Sequence, residues 1–226
     1  MSKHGTFKRY LIFLVGIFIT DFGISFVTKA GLGTSPISSI PYTLSFGFQP
    51  TIGMFTLYMS AVLIIIQLLL LKKDFPKQYY LQIPASIAFS WFMDLTMNLL
   101  TFLTPSAYWE KLISLLIGCI LLAIGVNTQM MANVVLLPGE AFVKAISITL
   151  HTDFGKTKVA IDTLFTLIAG LIGLVLFQKI TGIGEGTLIA ALLVGTIVRF
   201  LKSKFTLIEN FFFASDPCSK DSVIVR

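Results

Sequence analysis

Apolar residues run along this chain in long blocks rather than in alternation. Six blocks have the length of a membrane-crossing helix, which needs about 20 apolar residues. They cover roughly 9–28, 52–71, 81–103, 112–132, 157–178 and 185–202. Two shorter helical segments lie between them, near 36–48 and 138–150. Each opens on a proline, Pro36 or Pro138, which suits the first turn of a helix because its missing N–H needs no partner there. Ser35 precedes the first proline as an N-cap residue. At about 1.5 Å per residue, a dozen residues reach only about half-way across the hydrocarbon. The short segments are therefore expected to be re-entrant half-helices or helices lying at the interface.

The pattern also repeats. Shifted by 102 residues, the chain aligns with itself without gaps over about 70 residues. Gly16 meets Gly118, Gly23 meets Gly125, Gly53 meets Gly155, Ala30 meets Ala132 and Pro36 meets Pro138. The expected fold is an all-α integral membrane protein with six transmembrane helices. They form two inverted three-helix repeats, about 8–103 and 110–203, each with one short helix. Three is odd, so the second copy starts on the opposite side of the membrane from the first. The transmembrane domain spans 1–204, and 205–226 is expected to be a cytoplasmic tail.

Composition agrees with a lipid-facing chain. Of 226 residues, 55% are hydrophobic and 12% charged, with a mean hydropathy of +0.88. Soluble domains carry about 25% charged residues. The net charge of +6 does not point to nucleic acid, because the cations stand between apolar runs and form no dense stripe. They instead orient the chain. With six spans and a cytoplasmic N-terminus, 14 of the 17 Lys and Arg fall on the cytoplasmic side. Only Lys29, Lys111 and Lys179 remain outside, as the positive-inside rule requires. Letting both short segments cross would move Lys72, Lys73 and Lys77 outside and leave Lys144 within the membrane.

Ionisable residues inside apolar runs are costly and are default site candidates. Asp21 lies near the middle of the first span, one turn before Ser25. Asp94 lies in the third, with Asn98 one turn on. Asn127, Gln129 and Asn133 make a polar patch ending the fourth. Glu140 and Lys144 stand at i, i+4 on the second short helix, where they either line a site or only neutralise each other. Asp162 lies one turn inside the fifth span. The polar patch has an equally good structural reading, as hydrogen bonds between helices. Gly16, Gly23, Gly118 and Gly125 share helix faces, which suits close helix packing. The two cysteines, Cys119 and Cys218, and the two histidines, His4 and His151, form no metal or nucleophile constellation. No metal and no cofactor is expected, and the chain reads as a protein other than an enzyme.

Lys29-Ala30-Gly31-Leu32-Gly33-Thr34-Ser35-Pro36, with the later Gly182-Ile183-Gly184-Glu185-Gly186-Thr187, resembles two elements of the YczE/YyaS/YitT family of bacterial multi-pass membrane proteins. The resemblance covers about 8–202 and implies a bacterial inner-membrane protein of largely unassigned activity. Ile37-Ser38-Ser39 stands where relatives often have Trp and Asp. Leu137-Pro138-Gly139-Glu140 stands where many have a more basic element. These readings converge on a small-solute transporter or exporter working by alternating access. The alternative is a non-catalytic substrate-binding subunit or assembly factor of a larger membrane complex. The expected partners are the lipid bilayer and a small solute of unknown identity, with a homo-oligomer or a partner subunit both admitted.

Overall fold

The computed structural model describes residues 3–72, 75–179 and 181–213. Among them are eight α-helices: α1 (Lys3–Lys29), α2 (Pro36–Ser45), α3 (Ile52–Leu71), α4 (Gln82–Leu99), α5 (Tyr108–Ala132), α6 (Pro138–Thr149), α7 (Phe154–Phe177) and α8 (Glu185–Phe213). A short 3-10 turn, Lys77–Leu81, leads into α4. Both short helices begin on their prolines, after Ser35 and Leu137 in extended conformation. The helix α8 runs about ten residues past its expected end, into the segment read as tail. Residues 214–226 of that tail lie outside the described residues.

Among the described residues, four helices are long and apolar enough to cross a membrane: α1 over Phe7–Lys29, α3, α5 and α7. The exterior supports that environment. On α3, Tyr58, Val62, Ile65 and Leu69 face outward, and on α7, Leu164, Leu167, Leu171 and Val175 do. Their inward faces are smaller and more polar: Gly53, Thr56, Ser60, Leu63 and Gln67 on α3, and Thr157, Ile161, Phe165, Ala169 and Gly173 on α7. A water-soluble bundle has the reverse distribution. In lipid, where tails are as apolar as leucine, small and polar residues are the ones that hold helices together.

The helices sort into two groups. In the first, α1 packs along α5, with α4 against α1 and α8 against α5. Its core joins Ile24, Val27, Met93, Leu115, Cys119, Leu122 and Ala190. In the second, α2 packs on α7 and α3, and α6 on α3 and α7. Its core joins Leu63, Phe142, Val143, Ile161 and Phe165, with Ile37 and Ile40 against them. The α3–α4 contact links the groups.

The α1–α5 contact is antiparallel and set by glycine. A Cβ on Gly16 would stand 3.2 Å from the Gly125 carbonyl oxygen, and one on Gly125 would stand 2.9 Å from that of Gly16. Such spacing admits no side chain without moving backbone. At one end of this pair, Arg9 is buried and donates from Nη1 to the Ala132 carbonyl at 3.3 Å. A cation there complements the negative end of the α5 dipole.

Candidate functional site

The polar residues of α1 and α4 form a buried seam. Asp21, Ser25 and Thr96 have no exposed surface. The hydroxyls of Ser25 and Thr96 are hydrogen-bonded at 2.7 Å. Thr96 Oγ1 also lies 3.1 Å from the Met93 carbonyl and 3.4 Å from that of Asp21. Thr20 donates to the Gly16 carbonyl and accepts from Gln129 Nε2 at 2.6 Å, tying α5 to α1. Within this seam the carboxylate oxygens of Asp21, both buried, have no hydrogen-bond partner.

Asp94 serves a different end. Its Oδ2 accepts from Thr51 Oγ1 at 2.6 Å and its Oδ1 from the Gly53 amide at 2.9 Å. Thr51 is itself the N-cap of α3 and accepts from the Met54 amide. Asp94 therefore caps α3 from a neighbouring helix, with its negative charge at the positive end of the α3 dipole. Gly53 makes the approach feasible, since a Cβ there would stand 2.6 Å from the Asp94 carboxyl carbon. At the start of α7, Asp153 caps its own helix by accepting from the Lys156 amide.

The other sequence candidates do not gather around Asp21. Asn98 is exposed at the end of α4. Asn127 is buried on the opposite helix of the pair and donates to the Ala123 carbonyl at 2.8 Å and the Val198 carbonyl at 3.3 Å, linking α5 to α8. Asn133 ends α5 in the left-handed conformation, with φ of 50°, and its side-chain oxygen is buried without a partner. Glu140 is half-buried in the first turn of α6, within electrostatic reach of Lys158 and Asp162 on α7. Those two form an ion pair at 2.8 Å, so Asp162 is engaged locally. Lys144 is half-buried one turn after Glu140.

The short-helix starts are brought together. Ile37, just after Pro36, lies against Gly139, just after Pro138: a Cβ on Gly139 would stand 3.0 Å from Ile37 Cδ1. Around the first start, Ser35 donates to Ser38 at 2.9 Å and Ser39 to the Pro36 carbonyl at 2.6 Å. Around the second, Gln67 Nε2 donates to the Pro138 carbonyl at 3.1 Å, and Gln82 Nε2 to Gln67 Oε1 at 3.1 Å. Both glutamines are fully buried. Sequence reading missed them, although Gln67 is the one polar residue in the run from Ala61 to Leu71.

The two glycine motifs also meet. The Gly186 amide donates to the Leu32 carbonyl at 2.8 Å, and Thr43 Oγ1 to the Thr181 carbonyl at 3.1 Å. Gly33 and Gly182 take φ of 114° and 78°, where side chains are strained. A Cβ on Gly33 would run into Thr187 and one on Gly182 into Thr43. At the opposite end of the α1–α5 pair, Ala85, Ala132 and Val135 pack together with Leu81 and Leu137. A cleft of about 310 Å³ opens by the α4–α5 connection, lined by Phe26, Phe102, Pro105, Trp109, Glu110 and Ile113. None of the candidate residues lines it.

An apolar exterior around small, polar interior faces defines a helical membrane protein. A family model described as a family of unknown function (DUF6198) matches residues 7–203, and the chain belongs to that family. No curated protein and no solved structure matches it.

Proposed function

We propose that this protein is a small-solute transporter of a bacterial cytoplasmic membrane and not an enzyme. It has six spans, both termini on the cytoplasmic side, and two inverted halves that alternate access to a site between them. The observation that carries this reading is the contact between Ile37 and Gly139. Half-length helices whose N-terminal ends meet inside a bundle recur in transporters, with the site near the midplane at the repeat interface. Such ends carry partial positive charge and unpaired N–H groups. They favour a solute with an anionic or strongly hydrogen-bond-accepting group.

The two-halves reading is supported by contacts that the 102-residue shift exchanges. Gly16 against Gly125 becomes Gly118 against Gly23, and both are close approaches. Ser25 with Thr96 becomes Asn127 with Val198, and both are hydrogen-bonded. The packing of α2 on α7 becomes that of α6 on α3, and both occur. The antiparallel pairing of α1 with α5 fits inversion. The distribution of Lys and Arg, 14 of 17 on one side, supports the orientation. The meeting of the two glycine motifs fits kinship with the YczE/YyaS/YitT family, which forms part of the proposal.

Alternating access has a direct test. In a chain with Cys119 and Cys218 replaced by serine, a cysteine at Ser38 is probed with a membrane-impermeant maleimide from each side of the membrane. Labelling is expected from both sides. A disulfide between cysteines placed at Gly33 and Gly184, which closes the glycine loops, abolishes labelling from that side and spares the other. A cysteine at Ser38 that reacts from neither side, or from the same side with and without the cross-link, overturns the reading.

A further inference from the structure

We propose that Asp21 is the binding site of a monovalent cation, H⁺ or Na⁺, whose binding neutralises a buried carboxyl group that the described residues leave without a partner.

The case begins with what surrounds Asp21. It has no exposed surface, and neither carboxylate oxygen makes a hydrogen bond. The adjacent polar groups are matched. Ser25 pairs with Thr96, Thr20 with Gln129 and the Gly16 carbonyl, and Asp94 with Thr51 and the Gly53 amide. An unmatched carboxylate away from water is among the costliest groups a fold can hold, and it persists only when a positive charge reaches it.

Among the described side chains, none supplies that charge. On α1 the nearest cations in sequence are Lys29, eight residues on, and Arg9, twelve residues back, roughly 12 and 18 Å along the helix axis. The neighbouring α4 brings Asp94, whose charge acts on Asp21 with the same sign. Beyond Lys111, α5 carries no charged residue, and its ionisable group is Cys119, buried in the core. On α8, Glu185 and Arg199 are both exposed. With none among the described side chains, the positive charge at Asp21 is that of a bound cation.

The fold does not need a carboxyl at this position. The residue 102 positions on is Ala123, equally buried, one turn before Asn127 on α5. An alanine fills that place without a polar atom. The corresponding position of the first half carries an acid, next to the Ser25 and Thr96 hydroxyls, while the Asp94 oxygens are taken up by Thr51 and Gly53. Those oxygens are the chemistry that a proton or a small hard cation uses. The role of such a site in a cycle, coupling solute movement to an ion gradient, rests on the transporter reading. The binding itself does not.

The test measures binding without flux. The purified chain in lipid nanodiscs is melted over a range from mildly acidic to mildly alkaline pH, in sodium chloride or in choline chloride. A ligand that binds only the folded state raises the melting temperature in proportion to its occupancy. The wild type is expected to be stabilised by Na⁺ over choline if the site takes a metal cation. If the site takes a proton, it is stabilised by acid with no preference between the salts. Asp21→Asn and Asp21→Ala are expected to lose whichever dependence the wild type shows, while Asp94→Asn keeps it. Should both Asp21 variants fail to fold, the wild type's carboxyl infrared bands, followed over the same pH and salt range, replace them. A melting temperature that responds to neither ion, an unchanged response in the variants, or bands insensitive to both ions overturns the proposal. Success here with failed maleimide alternation would leave a cation site in a protein that is not a transporter.

Discussion

A Cβ on Gly23 would stand 2.9 Å from the carbonyl oxygen of Gly118, and one on Gly118 would stand 2.8 Å from that of Gly23. With Gly16 and Gly125 two turns away, this reciprocal contact sets how closely α1 and α5 approach. A methyl group at Gly23 would also meet the Leu122 amide nitrogen at 2.5 Å, and neither backbone can yield without separating the helices. Gly23→Ala is therefore expected to destabilise the protein by about 1–3 kcal/mol, and Gly23→Val by more. Gly31→Ala is the contrast within the same chain. No atom lies within 4 Å of a Cβ there, but its φ of 69° disfavours one, so its cost is backbone strain alone. Thermal melting in detergent orders the three variants.

Removing Asp21, which is buried, and Asp94, which is half-buried, should have opposite effects. Asp94 holds the first turn of α3 through Thr51 and Gly53. Asp94→Ala is expected to lose about 1–2 kcal/mol, the range of a lost N-cap. Asp94→Asn, which can still accept one hydrogen bond, loses less. Asp21 holds nothing through its carboxylate, so Asp21→Ala is expected to leave stability unchanged or raise it by about 1–3 kcal/mol. Melting temperatures measured without stabilising cation give the comparison, and a large loss in Asp21→Ala would show that the carboxylate has a structural partner.

The Gln67–Gln82 pair gives a coupling prediction. Gln67→Leu leaves the Gln82 amide and the Pro138 carbonyl without their partner, in a fully buried place. An orphaned buried polar group costs about 1–3 kcal/mol. Replacing both glutamines by leucine removes the orphaned amide, so the double variant should lose less than the sum of the singles. A double-mutant cycle by denaturation reads the coupling directly.

Asn127 joins α5 to α8 through the Val198 carbonyl. Asn127→Ala is expected to cost about 0.6 kcal/mol, typical of a hydrogen bond between helices in a membrane. Ser25→Ala should cost no more, because Thr96 retains the Met93 carbonyl as an acceptor.

Much of the architecture was legible because its signals are local. The apolar block predicted for 52–71 is α3 to the residue, and Pro36 and Pro138 start α2 and α6. Proline at a first turn and a run of apolar residues act on the backbone within a few positions. The ends were less legible. The observed α1 begins before its predicted start and α8 continues beyond 202, because helix propagation needs no apolar side chains once the turn is formed.

The candidate site was legible as a list of residue types but not as an arrangement. Asp21, Asp94 and Glu140 look alike in sequence, each an acid within or beside an apolar run. Tertiary structure separates them: Asp94 caps α3, Glu140 lies near the Lys158–Asp162 pair, and Asp21 is left without a partner. Those outcomes depend on which helix faces which, over separations of 18 to 43 residues or more. Hydrophobic blocks and helix-starting prolines are written in the order of the residues, because each acts on its own stretch of helix. Which polar group meets another, and which one meets none, was decided only when α1 closed on α5 and α4 closed on α1.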